Sequence, residues 1–113
     1  MDPSHPRNTV PPVPPQIDSR DFEALREFLR GYLHEDYVQE YGTMEKAVQQ
    51  FARDADPQQR AEVARGWMRF VELTRSQPLQ VVVRLLTSSL GSAWLPNQPE
   101  QLEELTRLLQ HMR

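Results

Sequence analysis

From Ile17 onward the apolar positions recur at threes and fours, the period of helices that each bury one stripe. Phe22, Leu25, Phe28, Leu29, Tyr32 and Leu33 form the first stripe. Asp18 or Ser19 can cap its start by accepting orphan amides, and Asp21 and Glu23 suit the positive end of the helix dipole. Gly31 weakens the last turn, which predicts an end near Leu33 or His34. Thr43 can cap a second helix, with Met44, Ala47, Val48, Phe51, Ala52 and Ala55 inward. Asp56-Pro57-Gln58-Gln59 is the clearest start signal in the chain. Asp56 caps, Pro57 sits where a missing amide hydrogen does no harm, and Gln59 can reach back to close a capping box. The third helix then runs through Val63, Ala64, Trp67, Met68, Val71 and Thr74. Pro78 opens a fourth, with Leu79, Val82, Val83, Leu86 and Leu90 on its stripe and Gly91 as a left-handed stop. The valine triplet 81–83 also fits a strand, but no other stretch offers it a partner. Residues 92–98 read as a loop holding Trp94, Leu95 and Pro96, and Pro99 starts a fifth helix with Leu102, Leu105, Leu108, Leu109 and Met112 inward. The pattern predicts an all-α fold, a compact bundle of about five helices over residues 18–113.

Residues 1–17 differ in kind. They hold Pro3, Pro6, Pro11, Pro12, Pro14 and Pro15, six of the ten prolines in the chain. Proline lacks an amide hydrogen and has a fixed φ, so Pro11-Pro12-Val13-Pro14-Pro15 cannot join a helix or an inner strand. A disordered tail sampling polyproline II is expected, with a ligand for a proline-reading groove as the sharper reading.

Composition narrows the function classes. The chain has 113 residues, one ordinary domain. Its 16 acids and 13 bases disfavour a general nucleic-acid binder. No apolar run approaches a membrane span, and no charged-then-apolar leader opens the sequence, so a cytoplasmic location is expected. With no cysteine there is no thiolate chemistry and no disulfide. His34-Glu35-Asp36 places three ligand types together, but adjacent helical residues diverge, and Val38 stands where a zinc helix needs its second histidine. The glycines are isolated, and Ser88, Ser89 and Ser92 lack a nucleophile elbow. No catalytic group, metal or cofactor is expected.

Charge is more informative. Residues 21–42 hold six acids against two bases, whereas residues 43–113 hold eight against nine. Glu35, Asp36 and Glu40 are interleaved with Tyr37 and Tyr41. Acids beside tyrosines suit a basic partner, since tyrosine offers rigid contact area and acids steer encounter. The competing reading is a solvated loop with its tyrosines tucked into the core. Arg60, Arg65, Arg69 and Arg75, interrupted by Glu62 and Glu72, read as a salt-bridged outer helix face.

The run Tyr32-Leu33-His34-Glu35-Asp36-Tyr37 resembles the aromatic-x-His-acid/amide-Asp-aromatic signature of small immunity proteins from bacterial contact-dependent growth inhibition systems. The resemblance spans residues 21 to about 110. A helix with Ala47, Val48 and Phe51, a long helix, Leu90-Gly91 with an aromatic soon after, and a last amphipathic helix agree in order. Leu33 departs from the family's usual aromatic, and Trp94-Leu95 precedes the last helix instead of lying within it. The resemblance implies a cytoplasmic inhibitor, a monomer when free and without catalysis. It would bind the toxic C-terminal domain delivered by a neighbouring cell and occlude its active site or substrate groove. It also implies a structural role for the signature. Tyr32 and Leu33 would pack inward, and His34 and Asp36 would fix the turn into the next helix. Glu35, Tyr37, Glu40 and Tyr41 are then the candidates for toxin contact. Two other classes remain: a helical adaptor or chaperone of a secretion system, and a helical nucleic-acid-binding regulator using the arginine helix.

Overall fold

The computed structural model describes residues 17–112. The expectation of a disordered proline tail covers residues 1–17, and all but Ile17 of these lie outside that range. A 3-10 turn, Ser19–Phe22, leads into α1, Glu23–Tyr32. The remaining helices are α2, Tyr37–Tyr41; α3, Met44–Asp54; α4, Pro57–Leu73; α5, Leu79–Ser88; and α6, Pro99–Gln110. The described residues contain no strand, and the valine triplet is helical.

The start signals act through the bonds they imply. The Asp18 carboxylate accepts from the Arg20 amide, and the Thr43 hydroxyl accepts from Lys46 N–H at 3.1 Å. The Asp56 carboxylate accepts from Gln59 N–H at 2.8 Å, while the Gln59 side chain accepts from Asp56 N–H at 3.1 Å. This box opens α4, the longest helix. The other side of the corner is closed by Arg60, which donates to the carbonyls of Ala52 and Ala55 at 3.0 and 2.8 Å. A cation there also answers the negative end of α3. Gly91 takes φ +65°, and the Leu90, Gly91 and Ser92 amides turn back to α5 carbonyls.

The first, second and last stripes are buried or half-buried as the period predicts. The α4 stripe differs. Val63, Trp67, Phe70 and Thr74 are buried, whereas Met68 is 38% exposed and meets Gln110 at its sulfur. Steps of four, three and four hold one face on a 3.6-residue period, and position 68 lies off it. Trp67 is fully buried, stacked on Phe70 and tilted against Trp94, and its indole N–H donates to the Thr106 hydroxyl at 2.8 Å. That bond ties α4 to α6. On the opposite side α4 approaches α1 closely: a Cβ at Gly66 would stand 3.3 Å from that of Leu25. Each fully buried leucine or phenylalanine here stabilises the bundle by about 1.5–3 kcal/mol.

The arginines of α4 do not form the expected salt-bridged face. Of Arg60, Arg65, Arg69 and Arg75, only Arg75, just past the end of the helix, forms an ion pair with a described residue, Glu72, at 2.8 Å. Arg60 serves the corner, and Arg69 lies 5.9 Å from the centroid of the Phe22 ring.

Candidate functional site

Helix α1 ends at Leu33, whose amide still reaches the Leu29 carbonyl at 3.1 Å. Leu33 is fully buried. The chain then turns on His34. The Asp36 amide donates to His34 Nδ1 at 3.1 Å, and His34 Nε2 lies 2.8 Å from Glu40 Oε1. An acceptor at Nδ1 requires the hydrogen on Nε2, so the ring donates to the Glu40 carboxylate. The His34 carbonyl also accepts from Tyr37 N–H at 3.0 Å. One side chain thereby ties the turn to the last part of α2. Asp36 contributes through its backbone: its carbonyl accepts from Glu40 N–H at 3.0 Å, and its carboxylate makes no capping bond. Helix α2 stops at Gly42, whose φ of +93° suits a residue without a Cβ.

Below the turn lies an aromatic ladder. Phe51 meets Phe28 and Tyr32 edge-on at 4.9 and 5.3 Å between centroids. Tyr32 stacks on Tyr41 at 6.0 Å, and Tyr41 lies 6.2 Å from the His34 ring. The Tyr32 hydroxyl donates to Asp54 at 2.8 Å, and Asp54 is held in turn by Gln50 at 2.9 Å. Burial first, and then the Asp54 carboxylate, push the Tyr32 phenol up to about 12. Burial, followed by the Glu40 carboxylate, raises Tyr41 as well. Both hydroxyls therefore stay protonated at neutral pH.

The predicted residues fall into two layers. Tyr32 and His34 hold the turn from within, and Asp36 does so by its backbone. Glu35, Asp36 and Glu40 are exposed on the outside. Tyr37 and Tyr41 are intermediate, half-buried and packed against the core. Part of each tyrosine is thus tucked into the core and part is left accessible. The segment is a helix and not a plain loop, and it turns Val38 outward at 57% exposure. The outward position of Val38 is not legible in the sequence because five helical residues are too few to show a period.

No nucleophile-and-base pair forms in this turn, and no three His, Asp or Glu side chains among the described residues gather to hold a metal. No described helix is long and apolar enough to cross a membrane. What the turn offers is a small, braced surface: Val38 is exposed, as are Glu35, Asp36 and Glu40, and the two tyrosines are half-buried.

Comparison with curated proteins and with solved structures returns no match. A family model does match, that of the CdiI immunity protein, over residues 21–109. The match takes in all six α-helices almost to their last residue, and the braced turn lies inside it. It agrees in family and extent with the resemblance carried by residues 32–37. The chain belongs to the CdiI immunity protein family.

Proposed function

We propose that this protein neutralises one cognate toxin domain by tight, non-covalent binding that covers the toxin's active site or substrate groove. The observation that carries the reading is the family match across residues 21–109. In this reading it acts as a cytoplasmic monomer without catalysis of its own. Glu35, Tyr37, Glu40 and Tyr41 form part of the contact, with Val38 as an apolar anchor among them. Several features support that placement. Residues 21–42 are the most acidic stretch of the chain, Glu35, Asp36 and Glu40 are exposed, and His34 holds the short helix in one geometry. A preorganised surface loses little entropy on binding.

Co-expression with the toxin domain encoded beside this gene, followed by calorimetry on the purified pair, tests the reading. Protection and binding are expected. Glu35→Lys together with Glu40→Lys should slow association and flatten its loss with salt. Because Glu40 also receives the His34 bond, Glu40→Gln is the control for the turn itself. Tyr37→Ala or Tyr41→Ala at a buried centre weakens binding by about 2 kcal/mol or more. The absence of both protection and binding would remove the immunity reading. Binding unchanged by every α2 variant would move the interface to another face.

A further inference from the structure

A second surface lies on the other flank of α3. Gln50 and Asp54 face the Tyr32 side, where Asp54 accepts the tyrosine hydroxyl. Further round the helix, Val48, Ala52 and Arg53 join Arg107, Leu108 and Met112 around an open groove of about 590 Å³. The floor is apolar, with Val48 buried and Leu108 and Met112 half-buried. The rim is basic. Arg53, Arg107 and His111 are exposed there, and Glu45 is the one acid among the described lining residues. Arg53 donates only to the neutral Gln50 amide at 3.1 Å, and neither arginine forms an ion pair with a described residue. His111 Nδ1 donates to the Arg107 carbonyl at 2.8 Å, which fixes the ring at the groove's edge.

We propose that this groove is a second docking site, and that its occupant is an acidic segment of the cognate toxin carrying an apolar anchor residue. The proposal rests on the toxin-binding reading above. Charge complementarity selects the occupant. Guanidinium groups without internal counter-charges gain from carboxylates, and a floor of valine, leucine and methionine takes an aliphatic or aromatic side chain. The spacing also suits one partner. A helix with its side chains is about 10–12 Å across, and a standard interface covers about 800 Å² on each partner. A toxin domain seated over the solvent face of α3 therefore reaches the α2 acids on one flank and the basic groove on the other. It presents a basic element and an acidic element side by side.

This arrangement makes an unusual sign prediction. Steering of a basic toxin by net charge alone means that an acidic groove speeds association. Docking in the groove means the reverse. The test measures association and dissociation rates of the full chain with the toxin domain encoded beside it, for wild type, R53E/R107E and Gln49→Trp. Gln49 is an exposed lining residue, so tryptophan there obstructs the groove without changing charge. Both variants are expected to weaken binding about tenfold or more, chiefly by faster dissociation, with unchanged melting curves. Equal or tighter binding by both folded variants overturns the proposal. Self-association of the wild type that R53E/R107E abolishes assigns the groove to a second copy and overturns it too. Absence of any toxin binding by wild type overturns the toxin-binding reading, and this proposal with it.

Discussion

Thr106→Val removes the hydroxyl that receives the Trp67 indole N–H at 2.8 Å and leaves the side-chain outline almost unchanged. Trp67 is fully buried, so no water replaces the lost acceptor. An orphaned buried donor costs about 1–3 kcal/mol. The Thr106 hydroxyl also donates back to the Leu102 carbonyl at 2.9 Å, but that carbonyl keeps its helical role, so this loss is minor. The expected destabilisation is therefore about 1–2 kcal/mol, a fall in Tm of about 4–8 °C per kcal/mol for a domain of this size. Trp67→Phe deletes the donor and shrinks the side chain. A double-mutant cycle isolates the bond: once Thr106 is valine, Trp67→Phe should cost about 1 kcal/mol less than in wild type. Trp67→Ala sets the upper bound at about 3–5 kcal/mol, because the cavity is added to the lost transfer term. Urea unfolding followed by circular dichroism measures all four states of the cycle. A Thr106→Val cost below about 0.5 kcal/mol with coupling below about 0.3 kcal/mol would refute the α4–α6 bond as a stabilising contact. A Trp67→Ala cost under about 1 kcal/mol would place that indole on the surface.

Two further predictions concern the turn. The Tyr32 phenol is raised in the folded state from the ordinary 10 to about 12, so its contribution is whole below pH 10 and is lost as the pH rises to about 12. Tyr32→Phe should cost about 1 kcal/mol at neutral pH and flatten that alkaline fall in urea-unfolding midpoints; an unchanged alkaline slope would mean that the Tyr32 phenol is not raised in the folded state. Gly42→Ala should cost about 1–2 kcal/mol through backbone strain alone, since the added Cβ meets nothing closer than Lys46 at 3.8 Å. A neutral effect on Tm would show that α2 ends in another conformation.

Elements with local signals were legible in the sequence. The Asp56–Gln59 box, the Thr43 cap and the left-handed Gly91 depend on residues within a few positions of each other, and each acts as its residue type predicts. Helix α2 depends on a contact six residues apart, between His34 and Glu40, and it has no side-chain cap. Neither propensity nor period announces such a contact. Phe70 was passed over for Met68 because α4 packs against both α1 and α6, which widens its apolar face and blurs its edge. The expected arginine–glutamate face likewise gave way to tertiary partners, a pair of backbone carbonyls for Arg60 and an aromatic ring for Arg69. For the site, residue identities were readable but layers were not. That Tyr37 and Tyr41 are half-buried follows from the ladder beneath them, and the ladder joins residues from three helices.

The placement of the aromatic residues divides the protein optically. Its three tyrosines flank the braced turn, Tyr32 as the last residue of α1 and Tyr37 and Tyr41 at the two ends of α2. Its two tryptophans, Trp67 and Trp94, are buried together with ring centroids 6.3 Å apart, where α4 meets the loop before α6. Tryptophan fluorescence therefore reports on the core, and tyrosine absorbance on the turn. The two chromophores act as native labels, so loosening of the turn and unfolding of the bundle can be followed separately in one unmodified sample.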